Sequence, residues 1–163
     1  MLLWFRNLAQ LDFERLMAVY REGNRENALT LYPQMPVDAA HLRAQEDFLA
    51  YLREDFFRHK GACYCVWEER GQYVSALRLE PWQDGLLLEA LETHPDHRRK
   101  GYAKQLILSV QRELTGKRIY SHVHKKNKAS LATHKSCGFT VFRDTVRLLD
   151  GTVSAGSYTL KWE

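Results

Sequence analysis

Near residue 62 the apolar residues stop recurring every three or four positions and begin to alternate, a change of period that constrains the fold more than any other feature. Two alternating runs, 62–69 and 73–80, flank Arg70-Gly71-Gln72, and Asp84-Gly85 turns the chain into a third, 86–93. Successive side chains of such runs project to opposite faces of a sheet, and connections this short join antiparallel neighbours. The centre of the chain is therefore expected to be a three-stranded meander.

Around it the period is helical. Phe13, Leu16, Met17 and Tyr20 share one helix face, with Asp12 placed to cap the start and Gly23 to end it. Leu42, Leu49, Leu52 and Phe56 mark a second helix capped by Asp38. Between the two, residues 24–37 carry Pro33 and Pro36 and read as a mobile connection bordering a binding cleft. Tyr102, Ala103, Leu106, Ile107, Val110 and Leu114 line a helix from about Gly101 to Thr115. Residues 2–7 and 118–124 read as strands, and Asn127 caps a helix reaching about Cys137. Residues 139–149 and 152–162 pair across Asp150-Gly151. The order β-α-α-β-β-β-α-β-α-β-β describes an α/β (α+β) domain: a mixed, mainly antiparallel central sheet flanked by about four helices. It lacks the regular alternation of a dinucleotide-binding fold.

At roughly 100 to 200 residues per domain, the 163 residues make one domain, 1–163. A body of that size buries about 70% of its unfolded surface and needs neither metal nor disulfide to hold together. No apolar run approaches the roughly 20 residues of a spanning helix, and Met1-Leu2-Leu3-Trp4-Phe5-Arg6 lacks the segments of a secretory signal. A cytoplasmic location without membrane contact is expected, and Cys63, Cys65 and Cys137 are then reduced thiols. The charge, 24 basic against 20 acidic residues, is +4, concentrated in residues 97–100 and 125–128. Such clusters suit a phosphorylated ligand. A nucleic-acid-binding module is the weaker alternative, since no aromatic platforms interleave with these cations. The histidines at 94, 97, 122 and 124 have no further ligand placed by spacing, so no metal is expected.

His94-Pro95-Asp96-His97-Arg98-Arg99-Lys100-Gly101-Tyr102-Ala103 joins the third strand to the next helix. The first turn of a helix presents backbone N–H groups without internal partners and about half a positive charge. Gly101 and the small Ala103 let a diphosphate approach that backbone closely, while Arg98, Arg99 and Lys100 add formal charge.

Arg98-x-x-Gly101-x-Ala103, followed by Asn127-x-x-Ser130-x-x-x-His134-x-x-x-Gly138-Phe139, resembles the GNAT superfamily of acyl-CoA N-acyltransferases. The first segment looks like that family's coenzyme A pyrophosphate loop, and the second like its second motif. Specific matches lie within residues 86–139, and the element order is similar over 1–163. The resemblance implies an N-acetyltransferase that passes an acetyl group from acetyl-CoA to a primary amine, of a small molecule or a peptide, by direct attack in a ternary complex. It implies coenzyme-binding roles for the backbone of Leu91 and Thr93, and for Arg98, Arg99, Lys100, Gly101, Tyr102, Ala103 and Asn127. The chain departs from the family at Ser130, where alanine is common, and at His134, where a tyrosine that protonates the departing thiolate usually stands.

Imidazolium, with a pKa near 6.5, can protonate a thiolate readily, whereas the neutral ring is a far weaker acid. Activity would then fall as pH rises, unless neutral His134 serves simply as a hydrogen-bond donor. Otherwise it is a surface histidine and water protonates the sulfur. The amine must also lose a proton. Odd-numbered residues of the 86–93 run share a face, which puts Glu89 with Leu91 and Thr93 and turns Glu92 away. Glu89 is expected as the base, directly or through water, with Glu92 in reserve. His122 or His124 is a candidate for lining the acceptor pocket, and Tyr158 and Trp162 for packing. A non-catalytic acyl-CoA sensor would keep the coenzyme site without the acid and base. The acceptor, the acyl preference and the oligomeric state, homodimer included, stay open.

Overall fold

The computed structural model describes residues 1–148 and 150–163. Along the chain lie β1 (Leu2–Phe5), α1 (Phe13–Leu31), α2 (Val37–Glu54), β2 (Cys63–Glu69), β3 (Gln72–Trp82) and β4 (Gly85–Thr93). Then follow α3 (Tyr102–Glu113), β5 (Ile119–His124), α4 (Lys128–Ser136), β6 (Thr140–Arg143), β7 (Val146–Arg147), β8 (Val153–Ser154) and β9 (Ser157–Trp162). Seven strands form a sheet in the order β1-β2-β3-β4-β5-β9-β6, in which β4 and β5 run parallel and the other neighbours antiparallel. The meander is present as β2, β3 and β4, and Glu69 pairs with Gln72 across a two-residue turn whose Arg70 and Gly71 both have positive φ.

The two faces of the sheet carry separate cores. Against α1 and α2, Tyr64, Val66, Tyr73 and Ala76 bury Leu16, Val19, Tyr20, Leu52 and, just past α2, Phe56. Against α3 and α4, Cys65, Leu77, Leu79, Leu88 and Leu160 meet Leu106, Ile107, Val110, Leu131 and Cys137. The three cysteines are free and buried, packed as small apolar residues. The alternating Tyr158 and Trp162 pack against the second core, as expected.

Asp12 caps α1 by accepting from the Arg15 amide at 3.1 Å. Gly23, however, does not end that helix. α1 continues to Leu31, so most of the segment read as a mobile connection is helical. A glycine inside a helix costs roughly 1 kcal/mol, and tertiary packing overrides it: Ala28 is sealed against Ala40 and Ala44 of α2, with Tyr32 alongside. Of that segment only Glu26 lines a cavity, beside Glu22 and Gly23 of the same helix. α2 begins after Pro36 without a side-chain cap, and Asp38 sits in its first turn. Its buried face is Ala40, Ala44 and Leu52, which leaves Leu42 60% exposed, contrary to the face expected from sequence.

The last hairpin also differs from expectation. Instead of one continuous pair, β6 pairs with β9 in the main sheet, while β7 and β8 form a separate two-stranded ribbon. Leu149, the last residue of the expected run, lies outside the described residues. Thr159 bridges the break by donating its hydroxyl to the Thr145 carbonyl at 2.8 Å.

Candidate active site

β4 and β5 pair only from Leu86–Leu88 to Ile119–Ser121. The last link is a hydrogen bond from Ser121 Oγ to the Leu88 carbonyl at 3.0 Å, after which the strands part. A bulge in β4 accompanies the opening. Arg78 faces Glu89 and Ala76 faces Glu92, so Leu77 stands opposite two residues, Ala90 and Leu91, and Ala90 takes φ +50°. Tyr20 of α1 supports the bulge by donating to the Ala90 carbonyl at 2.6 Å, and Tyr64 donates to the Tyr20 hydroxyl at 3.2 Å.

The bulge overturns the face assignment made from alternation. Glu89 lies with Arg78 and Glu80 on the α2 side of the sheet, and Glu92 lies with Arg98 and Glu22 on the same side. Leu91 instead packs into the α3 core. The inserted residue shifts parity by one, so Glu89 shares a face with Glu92 and not with Leu91 and Thr93. The His94 amide donates across to Val74 of β3. Amides alternate along a strand, so those of Leu91 and Thr93 point the other way, to the open edge left by β5.

Beyond Thr93 the chain makes a short turn, Pro95–His97, then passes through Arg99 (φ +60°) and Gly101 (φ +82°) into α3. Only glycine takes the latter conformation without strain. The amides of Arg99, Lys100, Gly101, Tyr102, Ala103 and Lys104 have no acceptor among the described residues, and no side chain caps the helix. All of these residues except Lys100 line a cavity of about 650 Å³ bounded by α1, the end of β4, the start of α3 and α4. A Cβ at Gly101 would meet nothing within 4 Å, so the approach to these amides is open.

The cations are distributed less simply than the sequence suggests. Arg99 lines the cavity, as does Lys104, whose place in the first turn of α3 is a signal that the sequence carries. Lys100 is turned to the Asp96 carbonyl at 3.1 Å and does not line it. Arg98 is held by Glu22 at 2.5 Å and Glu92 at 3.6 Å, with the Thr93 carbonyl at 3.4 Å. No sequence signal points to Glu22 or Tyr20, since both reach the site only through tertiary packing.

Leu91, Asn127 and Ser130 also line a second cavity, of about 180 Å³, in the opening between β4 and β5. Asn127 caps α4 as expected, its Oδ1 accepting from the Ser130 amide at 3.0 Å. Glu89, His122, His124 and His134 line this second cavity as well. His122 packs edge-on against Trp82 at 5.2 Å. Burial raises the Glu89 pKa above the usual carboxylate value. Arg78, 3.7 Å away, opposes this, and the neighbouring Glu80 carboxyl adds to it. Burial likewise raises Glu92, against Arg98.

His134 is 1% exposed, which removes the surface-histidine reading. Its Nδ1 lies 2.8 Å from the Ser130 carbonyl oxygen and 3.3 Å from Ser130 Oγ, and Phe139 packs edge-on against the ring at 5.1 Å. A carbonyl oxygen only accepts, so Nδ1 carries the proton. Nε2 is buried and has no partner among the described residues. Burial pushes the pKa below that of an ordinary histidine, against the pull of the Ser130 carbonyl. The resting ring is thus neutral with a bare Nε2, so it cannot serve as a simple hydrogen-bond donor toward the cleft.

Among the described residues no group of three or more His, Cys, Asp or Glu side chains could hold a metal ion, and no helix is long and apolar enough to cross a membrane. A family model described as "Acetyltransferase (GNAT) family" matches residues 16–139. Curated protein sequences yield no match. Among solved structures, the chain is similar to the PaiA N-acetyltransferase of Thermoplasma acidophilum in complex with coenzyme A, with a TM-score of 0.65 and 14% identity over 100% of this chain and 99% of that one. It is similar to aminoglycoside 6'-acetyltransferase type Ii, with a TM-score of 0.64 and 12% identity over 99% and 96% of the two chains. The ribosomal-protein-S18-alanine N-acetyltransferase of Escherichia coli covers 72% of this chain with 74% of its own, at a TM-score of 0.53 and 18% identity. At such identities the likeness is one of fold.

Proposed function

Since the chain belongs to the GNAT family of acetyltransferases, which use acetyl-CoA, we propose that it transfers the acetyl group to a primary amine by direct attack in a ternary complex. The observation that carries this reading is the row of unpartnered amides from Arg99 to Lys104, all but that of Lys100 in residues that line a cavity, which meets a second one at Leu91 and Asn127 that reaches Glu89 and His134. The site fits the coenzyme by chemistry as well as by shape. Amide hydrogens at a helix start, with Arg99 and Lys104 beside them, suit a diphosphate, and a left-handed Gly101 leaves the approach clear. Acetyl-CoA, when bound, supplies an activated acyl carbon.

The chain's own residues do the rest. Backbone groups of Leu91 and Thr93, turned to the open edge of β4, hold the extended arm that joins diphosphate to thioester and polarise the acyl carbonyl. Asn127, at the meeting of the two cavities, keeps that arm against α4. Glu89 takes a proton from the incoming ammonium, directly or through water, and its raised pKa makes it a better acceptor than an ordinary carboxylate. His134 stands where the sulfur departs. Most of the acceleration comes from holding amine and acyl carbon in line. Among the neighbours named above, one is titled for aminoglycosides and another for a ribosomal protein, so fold alone leaves the acceptor open.

Thiol release from acetyl-CoA against a broad library of small amines and peptides tests the reading, beside calorimetry of acetyl-CoA. Binding near micromolar, about −8 kcal/mol, with turnover of at least one amine is expected. Binding without turnover of any amine indicates a sensor, and absence of binding overturns the assignment.

A further inference from the structure

The orientation of His134 bears on where the protons go, and the argument rests on the acetyltransferase reading. A primary ammonium must shed two protons to become an amide nitrogen, one before it attacks and one after it has bonded to the acyl carbon. The sulfur needs one proton as the C–S bond breaks. Glu89 accounts for the first.

We propose that His134 relays the second: its bare Nε2 takes the proton from the nitrogen newly bonded to the acyl carbon and delivers it to the departing sulfur. Nitrogen and sulfur are at that moment attached to one carbon, so a single ring atom beside the sulfur reaches both. The N–C bond forms, the C–S bond breaks and its electron pair leaves on sulfur, which accepts the proton from Nε2. The ring returns to its neutral starting state. The remaining proton leaves through Glu89 to solvent.

Three observations select this route over donation from a ring charged in advance. Nδ1–H is committed to the Ser130 carbonyl at 2.8 Å, which fixes the tautomer and the ring plane. Nε2 is buried, unpartnered, and belongs to a side chain lining the cleft between β4 and β5. Phe139 and a 1% exposed environment disfavour a resting imidazolium. The relay charges the ring only while a thiolate forms beside it. The other titratable groups lining the cleft are Glu89 on β4 and His122 and His124 on β5, and α4 brings His134 alone.

Nitrogen-15 NMR of the full chain with labelled histidine, without coenzyme, gives a readout independent of turnover. At neutral pH, His134 is expected as the Nδ1–H tautomer with a bare Nε2, and the opposite tautomer or a charged ring overturns the relay. The pH dependence of kcat is the second arm. The relay requires neutral His134, so kcat rises to a plateau as pH increases through its pKa. A kcat that falls over that range marks a plain acid and overturns the proposal. His134→Tyr, which restores an acid without a base, is expected to lose about a hundredfold in kcat while acetyl-CoA affinity stays within about twofold. Undiminished kcat in that variant refutes the relay alone, whereas wild-type protein that turns over no amine refutes the acetyltransferase reading and the relay with it.

Discussion

Arg98 Nη1 lies 2.5 Å from the Glu22 carboxylate of α1, so a cation expected to meet a diphosphate is already engaged by another residue lining the same cavity. Both side chains are about half exposed, and such pairs contribute at most about 1 kcal/mol. Glu22→Gln is therefore expected to tighten acetyl-CoA binding about two- to fivefold by calorimetry, more at low salt than at high. Unchanged affinity would mean that Arg98 keeps its partner when the coenzyme binds.

Gly101 tests the amide row directly. A β-branched residue at φ +82° strains the backbone by roughly 1–2 kcal/mol and reorients the amides that follow. Gly101→Val is expected to weaken acetyl-CoA binding at least about tenfold. Circular dichroism should show a cooperative melt only a few degrees lower, which separates a lost site from a lost fold.

Glu89→Gln removes the proposed proton acceptor and keeps the shape. kcat is expected to fall about 10²- to 10⁴-fold with acetyl-CoA affinity unchanged. In the wild type, the carboxylate must be ionised to act, and burial raises its pKa. The acidic limb of kcat that Glu89→Gln removes should thus lie at higher pH than an ordinary glutamate would place it.

Tyr20→Phe leaves the Ala90 carbonyl and the Tyr64 hydroxyl without their buried partner. Urea denaturation should show a loss of about 1–3 kcal/mol. Because the bulge sets where Glu89 points, kcat is expected to drop with it, while acetyl-CoA binding at α3 stays near wild type.

Acidification should destabilise the protein through His134. Folding depresses its pKa, so its contribution is complete above the unfolded value near 6.5 and is lost as pH falls through the lower folded value. His134→Phe, which cannot titrate, is expected to flatten the dependence of Tm on pH between about pH 7 and pH 5. The half-buried His122, shifted in the same direction, leaves a residual slope.

Local periodicity and capping were enough to identify the meander, α3, the Asp12 and Asn127 caps and the glycine at the start of α3, because each is decided by residues a few positions apart. The course of α1 past Gly23 was not legible, since what outweighs that glycine is Ala28 against Ala40 and Ala44 on another helix. Nor was the face of Glu89. Alternation assumes an unbroken ladder, and whether a residue is extruded depends on what the neighbouring strand pairs with and on a hydroxyl that Tyr20 brings from 70 residues away. Spacing alone places His134 one helical turn after Ser130 on the helix that Asn127 caps. Only the tertiary structure decided its protonation, because a buried ring takes its tautomer from the group it is pressed against, here the Ser130 carbonyl.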